Sequence, residues 1–247
     1  ASFFRIAIGV LVDRFGPKRV GTFSLLLLLI PLLYGWLIAS SFSEMLFVGV
    51  LFGIAGSSFA VALPLASRAY PSQHQGMAMG IVGAGNSGSR LAVLAAPFLA
   101  QRWGWHTVFG LALVPLLIVL VLFVSMAREA EKFPFPKPFY VYRDLLLQTE
   151  LWWFNLYYAV TFGGFVGLTS FLSIFLNDQY GLSPVIAGGM TAACVFMGSF
   201  FRPVAGYFSD RIGGPKLLIV FFIIATGLFG TMTLLPDITI AIPLFLV

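Results

Sequence analysis

The sequence predicts an all-α integral membrane protein, and three observations support this fold class. Of the 247 residues, 60% are hydrophobic and only 9% are charged, and the mean hydropathy is +0.99. A soluble domain carries about 25% charged residues, so this chain lacks the polar side chains needed to cover a surface that faces water. Apolar runs of about 20 residues, the length that spans a bilayer core, recur along most of the chain.

Seven apolar runs are predicted to be membrane helices. They lie at about 20–40, 43–67, 76–100, 105–126, 150–177, 183–208 and 217–235. Partial helices at 1–12 and 238–247 open and close the chain, so we expect a fragment cut within a helix at each end. The sequence contains no basic n-region followed by a cleavage site, so no signal peptide is predicted.

The basic residues predict the orientation of these helices. One set of alternate loops holds Arg14, Lys18, Arg19, Arg68, Arg128, Lys132, Lys137, Arg143, Arg211 and Lys216, and the other set holds Arg102 alone. Cytoplasmic loops carry the excess of basic residues, so the rich set is predicted to be cytoplasmic. This distribution accounts for the net charge of +5 without a nucleic-acid partner. We therefore expect a multi-pass protein of the cell inner (plasma) membrane.

A proline-rich polar segment divides the chain. Residues 127–148 contain "REAEKFPFPKPFYVYRDLLLQ" and are predicted to be a cytoplasmic linker between an N-terminal half (1–126) and a C-terminal half (149–247). Within the linker, "FYVYRDLLL" is predicted to lie along the membrane surface.

The sequence offers no convincing enzyme or cofactor site. The letters G-x-G-x-x-G occur from Gly83 to Gly88. A dinucleotide-binding loop, however, follows a β-strand and has an acidic residue about 20 positions after it. No strand precedes these glycines, and the next acid is Glu129. Cys194 is the only cysteine, which excludes an internal disulfide and a thiolate metal site. We predict no enzyme activity, no cofactor and no metal, and we interpret His74 and His106 as polar residues at helix ends.

An internal repeat relates the two halves. "RIAIGVLVDRFGPK" (5–18) aligns with "RPVAGYFSDRIGGPK" (202–216). Arg5, Gly9, Asp13, Arg14 and Gly16 recur as Arg202, Gly206, Asp210, Arg211 and Gly213, each 197 positions later. Both copies end at predicted cytoplasmic loops, so the halves run in the same direction, which is a known transporter plan.

The repeated G-x-x-x-D-R-x-G motif resembles the signature of the major facilitator superfamily. The resemblance implies two parallel six-helix halves around a central cavity, of which this chain covers the second helix to the start of the tenth. It also implies a gating motif formed by Gly9, Asp13, Arg14, Gly206, Asp210 and Arg211. An ionised aspartate at such a position can cap a neighbouring helix N-terminus.

Two arginines are predicted to lie within the membrane. Arg5 and Arg202 each precede the motif aspartate by eight residues, which places them about 12 Å along a helix from the cytoplasmic boundary. Burying a guanidinium there costs about 2.5–3.5 kcal/mol, and no predicted helix core contains a carboxylate to offset it. A small anion bound by both arginines is one explanation. The alternative is that acids on helices outside this chain pair with them.

The glycine-rich run has two interpretations that are not exclusive. Gly76, Gly80, Gly83 and Gly88 form a small-residue surface of the kind that lets helices approach closely. The wider stretch "GSSFAVALPLASRAYPSQHQGMAMGIVGAGNSG" resembles the nitrate/nitrite porter family within the superfamily. The resemblance implies a substrate site made of Arg5, Arg202, Tyr158, Phe162, Phe59, Asn86, Gly83 and Gly85.

Arg90 departs from the family pattern, which more often has a small or hydroxylated residue at this position. It lies four residues after Asn86 and is either an attracting charge on the anion's path or a rim residue that snorkels to the surface.

The function predicted from the sequence is transport of nitrate and/or nitrite by alternating access, with the anion held by Arg5 and Arg202. The expected partners are a small inorganic anion and the lipid bilayer, and we expect a monomer. The alternatives are a major facilitator transporter of another small anion, such as an organic phosphate or carboxylate, and a transport-inactive sensor on the same scaffold.

Overall fold

The described residues are almost entirely helical. A computed structural model describes residues 2–128 and 138–246, and all their side chains except those of 2–3, 89–91, 93–94, 97 and 139. Over these ranges the chain forms α-helices and contains no strand, which confirms the predicted all-α fold. Residues 129–137 of the predicted proline-rich linker and the side chain of Arg90 lie outside the described residues.

The helices follow the predicted apolar runs. The first part of the chain contains α1 Ser2–Phe15, α2 Pro17–Leu27, α3 Leu29–Leu37, α4 Phe42–Phe52, α5 Phe59–Ala69, α6 Gln75–Ala84, α7 Gly88–Trp103 and α8 Trp105–Met126. The second part contains α9 Phe139–Leu146, α10 Thr149–Tyr158, α11 Gly164–Tyr180, α12 Pro184–Phe200, α13 Arg202–Ile212, α14 Gly214–Met232 and α15 Ile238–Leu246.

Six segments among the described residues are long and apolar enough to cross a membrane. They are Pro17–Leu37, Phe42–Ala69, Trp105–Met126, Thr149–Tyr180, Pro184–Ile212 and Gly214–Met232. The seventh predicted run is also helical, from residue 75 to 103, but its glycines and serines, with Asn86 and Arg90, make it less apolar than the others. The chain is therefore a multi-pass membrane protein, as its composition predicts.

Three of the predicted membrane helices contain a 3-10 or π-helical turn, which the sequence analysis did not anticipate. A 3-10 turn at Ala55–Ser57 separates α4 from α5, and another at Gly85–Ser87 separates α6 from α7. A π-helical turn at Ala159–Gly163 joins α10 to α11. Such turns change the i→i−4 hydrogen-bond pattern and are frequent at functional sites. They matter here because the predicted site residues lie beside them.

The described chain divides into two compact units. The first unit is Ala1–Gln75 with Leu91–Lys137, and the second is Gly76–Arg90 with Pro138–Val247. The segment containing α6 thus packs with the C-terminal part of the sequence. The predicted division into halves at the linker remains a prediction.

The first unit has a core of aliphatic side chains closed by glycines. Ile8 and Val12 of α1 pack with Val61 of α5 and with residues of α2. Gly21 lies so close to α8 that a Cβ atom there would be 2.7 Å from the Phe123 ring. Membrane helices associate through such small residues because lipid provides little hydrophobic force between them.

The second unit has its core between α11, α12 and α15. Leu172 and Leu176 pack against Ala187, and Phe245 borders the cluster. One face of α12 is buried at every fourth residue, with Ala187, Thr191, Val195 and Ser199 in sequence. A period near 3.6 places these residues on a single stripe, and this stripe precedes Arg202 directly in the chain.

Candidate anion-binding site

The two copies of the D-R-x-G motif end their helices in the same backbone conformation. Gly16 follows α1 with φ 96° and ψ 148°, and Gly213 follows α13 with φ 97° and ψ 133°. This combination of angles is accessible almost only to glycine. The final glycine of the motif is therefore required by the sharp turn between two consecutive helices, and the sequence repeat is also a structural repeat.

Asp210 caps the N-terminus of α6, as the sequence analysis anticipated for a motif aspartate. Its Oδ1 accepts a hydrogen bond from the backbone N–H of Gly76 (2.7 Å), and its Oδ2 accepts one from Met77 (2.9 Å). A helix N-terminus offers unsatisfied donors and a positive dipole end, so a carboxylate is stabilised there.

The first copy of the motif has different neighbours. The Asp13 carboxylate forms an ion pair with Arg68 of α5 at 3.2 Å. At Gly9, nothing within the described part of the chain lies within 4 Å of where a Cβ would be, so the close packing that the resemblance implies is not seen there. The arginines that follow lie over aromatic rings: Arg14 over Phe15 at 5.5 Å and Arg211 over Tyr207 at 4.5 Å.

Three glycines of the predicted small-residue surface contact α13 directly. A Cβ at Gly76 would lie 2.5 Å from Asp210 Oδ1, and one at Gly80 would lie 2.8 Å from the Cα of Pro203. A Cβ at Gly83 would lie 3.0 Å from Cδ of Arg202. No described atom lies within 4 Å of a Cβ at Gly85 or at Gly88. The close approach of α6 to α13 therefore depends on Gly76, Gly80 and Gly83 and not on the later glycines.

Arg202 begins α13 and is surrounded by backbone and aromatic groups. Its Nη1 donates a hydrogen bond to the carbonyl oxygen of Gly83 at 3.0 Å. Its Cζ lies 6.0 Å from the ring centroid of Phe162 and 5.4 Å from that of Phe165. Within residues 2–128 and 138–246 it forms no ion pair. One of its five N–H donors is thus used by Gly83, and its cationic charge is not matched by a described carboxylate.

Arg5 has a similar environment in the first unit. Its Nε donates to the carbonyl oxygen of Gly56 at 3.2 Å, and its Cζ lies 5.9 Å from the ring centroid of Phe59. Gly56 belongs to the 3-10 turn that interrupts the span Phe42–Ala69. Each arginine of the repeat therefore donates to a backbone carbonyl at or beside a helix interruption and lies beside an aromatic ring.

Tyr158 and Phe162 are stacked, with ring centroids 5.2 Å apart and an interplanar angle of 15°. Tyr158 directly precedes the π-helical turn Ala159–Gly163, and Phe162 lies within it. Their shared face, which the spacing of four predicts, is preserved. Phe162 is also one of the two rings beside Arg202, so in the second unit the structure brings together Arg202, Gly83, Tyr158 and Phe162.

Asn86 and the two histidines are the other polar residues that the sequence singles out. Asn86 is partly buried in the 3-10 turn Gly85–Ser87, next to the glycines that approach Arg202. His74 is the last residue of a short, exposed 3-10 turn. His106 lies at the start of α8, and its Nε2 is 2.8 Å from the carbonyl oxygen of Ala39. Within the described ranges, no group of three His, Cys, Asp or Glu residues is arranged to hold a metal ion.

Sequence reasoning missed three residues that the structure places in contact with predicted ones. Gly56 accepts a hydrogen bond from Arg5, Phe165 lies nearer Arg202 than Phe162 does, and Arg68 pairs with Asp13. The spacing of three between Phe162 and Phe165 places both on one helix face, so the sequence could have indicated that Phe165 accompanies Phe162. The other two contacts join distant positions of the chain, which local spacing does not reveal.

The fold and these contacts define a class, namely a multi-pass helical membrane protein with cationic side chains inside its spans. The family model described as the Major Facilitator Superfamily matches residues 1–247. The chain belongs to the major facilitator superfamily, as the repeated motif predicts.

Three similar proteins have names that refer to nitrate or nitrite. A nitrite extrusion protein of Bacillus subtilis is 32% identical over 222 residues, which is 90% of this chain and 56% of the relative. A probable nitrate/nitrite antiporter, NarK1, of Thermus thermophilus is 33% identical over 88% of this chain and 52% of the relative. A probable nitrate transporter, NarT, of Staphylococcus epidermidis is 31% identical over 90% and 57%. The chain thus spans about half the length of these relatives.

Proposed function

We propose that this chain is part of a transporter that moves nitrate and/or nitrite across the cell inner membrane by alternating access. The anion is bound by Arg5 and Arg202, one from each copy of the repeat. The observation that carries the proposal is the environment of Arg202. This arginine lies inside a membrane span with one hydrogen bond to Gly83, two flanking phenylalanine rings and no described acidic partner.

A planar oxyanion suits such a guanidinium. The rigid fork of arginine donates two parallel hydrogen bonds to two oxygens, and its charge does not titrate in proteins. Arg202 uses one donor for Gly83, and the others remain for an anion. A permanently cationic site favours exchange of one monovalent anion for another, because an empty site leaves buried charge uncompensated.

The aromatic residues restrict the site to a small, flat substrate. Tyr158 and Phe162 form a stacked pair, and Phe59 lies beside Arg5. Flat rings exclude water from a planar anion, while the Tyr158 hydroxyl is able to donate a hydrogen bond to it. An organic phosphate or a carboxylate with a larger body requires a wider and more polar lining. The names of the similar proteins support the same substrate class.

The motif residues supply the gate in this proposal. Asp210 caps α6, and the glycines of α6 lie against α13. Separation of α6 from α13 breaks both hydrogen bonds of the Asp210 carboxylate at once. The contact between these two helices therefore has two distinct states, formed and broken. We assign the formed contact to one of the two access states and the broken contact to the other.

The test is uptake of labelled nitrate by the full-length protein in nitrite-loaded and in empty proteoliposomes. Arg5→Lys and Arg202→Lys keep the charge but lose the planar fork, and we expect each to reduce uptake at least tenfold. Arg102→Lys is the matched control, because Arg102 is exposed in the last turn of α7 and lies over the ring of Trp103.

Each outcome has a distinct meaning. Uptake that needs internal nitrite and is lost in both site variants supports an anion exchanger. Uptake into empty vesicles driven by a proton gradient supports the same site with proton coupling. If no gradient produces nitrate flux while phosphate or a small carboxylate is transported, the nitrate assignment is wrong.

A further inference from the structure

The ring of Phe165 lies nearer to Arg202 than the ring of Phe162, the aromatic residue already assigned to the site beside this arginine. Phe165 lies on α11, three residues after Phe162, and its ring centroid is 5.4 Å from the Arg202 Cζ. The corresponding distance from Phe162 is 6.0 Å. Both distances are within the range of cation–π attraction, which is strongest where the cation is desolvated. Arg202 and Phe165 are both partly buried.

The position of the Phe165 ring depends on a glycine of α12. A Cβ atom at Gly198 would lie 3.2 Å from Cε2 of Phe165, a tighter contact than most side chains tolerate. Because Gly198 has no side chain, the ring packs directly on the α12 backbone. The ring also lines a cavity of about 220 Å³ together with Thr169 and Cys194. Gly198 and Arg202 therefore hold the ring, and the cavity leaves room for it to move if either contact is lost.

The contacts of Arg202 leave most of the in-plane donors of its guanidinium available. A ring within cation–π distance contributes attraction without accepting a hydrogen bond from those N–H groups, whereas a carboxylate would occupy them. The Gly83 carbonyl accepts a hydrogen bond from one nitrogen, Nη1. The guanidinium is itself planar and rigid, but one hydrogen bond leaves the side-chain torsions free to turn that plane, so at least one further contact is needed to hold it in place.

We infer that Phe165 is a positioning residue for Arg202, orienting the guanidinium fork for the anion. The identity of the anion in this inference rests on the proposed function, whereas the role of Phe165 in orienting Arg202 does not depend on it. Phe165 acts through Arg202 and is not assigned a contact with substrate. Phe165 is required for the electron-rich face of its ring, and not only for the volume of its side chain.

The experiment separates the ring face from its volume. Phenylalanines with one, two and three ring fluorines are incorporated at position 165 of the full-length protein in lipid nanodiscs. Fluorine withdraws electron density from the ring face while changing its shape little, so the cation–π attraction weakens stepwise. Phe171, six residues further along α11 and largely exposed, receives the same substitutions as the matched control.

Two readouts are measured on each protein. The first is the nitrate dissociation constant, which we expect to rise monotonically with fluorination at 165, to a total of about 2- to 30-fold, the range that cation–π strengths imply. The second is the ¹⁵Nε resonance of Arg202, assigned by its loss in Arg202→Lys, which we expect to shift in the same order. Substitutions at Phe171 leave both unchanged.

The outcomes distinguish this inference from the proposed function. If Phe165→Leu weakens binding but the fluorinated series shows no trend in either readout, Phe165 only fills space and the inference is wrong. If the wild-type protein binds no nitrate while the Arg202 resonance follows fluorination, the proposed substrate is wrong and the positioning role stands. If the resonance is insensitive to Phe165 altogether, the positioning role is overturned regardless of binding.

Discussion

The Asp210 carboxylate and the backbone of Gly76 are joined by a hydrogen bond of 2.7 Å, although the two residues are 134 positions apart. A second bond to Met77 makes the contact bidentate. It ties the end of α13 to the first turn of α6, where the dipole favours a negative charge. Four predictions follow from this contact and from the geometry around it.

Asp210→Asn removes the charge and one of the two acceptors. We expect a loss of about 0.3–2 kcal/mol of stability, the range for a negative charge at a helix N-terminus, together with reduced transport. Thermal unfolding of the full-length protein in detergent checks the first effect. Asp144→Asn is the control, because Asp144 is exposed and its ion pair is with its chain neighbour Arg143, so a change near zero is expected. Equal losses in the two variants would contradict the capping role.

Gly80→Ala places a methyl group against the backbone of α13. The new Cβ would lie 2.8 Å from the Cα of Pro203, and backbone cannot move aside as a flexible side chain does. We expect overpacking of about 1–3 kcal/mol and a lower unfolding temperature. Gly88→Ala is the matched control, since no described atom lies within 4 Å of its Cβ and alanine favours helix. Tolerance of both substitutions would show that α6 and α13 are not closely packed.

Gly213→Ala tests the turn that ends the motif. The residue has φ 97°, a conformation that costs a side-chain-bearing residue about 1–3 kcal/mol. The adjacent Gly214→Ala is expected to be nearly neutral, because its Cβ would meet Ser209 Oγ at an ordinary 3.4 Å. Chemical denaturation distinguishes the pair. Gly16→Ala, at φ 96°, should repeat the result of Gly213→Ala, and a difference between these two would argue against the structural repeat.

Tyr158→Phe removes a hydroxyl and retains the ring stacked on Phe162 at 5.2 Å. If the hydroxyl donates to the bound anion, the KM for nitrate should rise by about tenfold, as loss of a hydrogen bond to a charged group implies. Tyr157→Phe is the control, because Tyr157 stacks on Trp153 and lies beside the tilted ring of Phe222 instead. A normal KM in Tyr158→Phe would limit Tyr158 to aromatic packing.

The fold class and the motif could be predicted from the sequence because both depend on local patterns. Hydropathy over about 20 residues identifies a span independently of its neighbours, and the spacing of Arg5 to Asp13 and of Arg202 to Asp210 recurs within single helices. The resemblance carried by the repeated motif led to the superfamily, which the family model confirms. The assignment of particular residues to an anion site remains a prediction from that resemblance.

The helix interruptions could not be predicted in the same way. The turns at Ala55–Ser57 and Ala159–Gly163 lie inside runs that are apolar enough to span a bilayer, so hydropathy alone does not locate them. Whether such a run stays α-helical depends on which carbonyls receive a partner from elsewhere in the protein. At Gly56 that partner is Arg5, 51 positions away.

Hydropathy and the repeated motif are sufficient to predict that the chain is helical, that it spans the membrane and where its motif recurs. The packing of distant helices sets the other contacts: Asp210 caps α6, Asp13 pairs with Arg68, and Phe165 lies against Arg202. The two kinds of feature differ in the distance along the chain over which they act. Hydropathy and backbone conformation act over a few neighbouring residues, whereas a guanidinium or a carboxylate in a membrane protein takes whichever partner the packing of distant helices brings within reach.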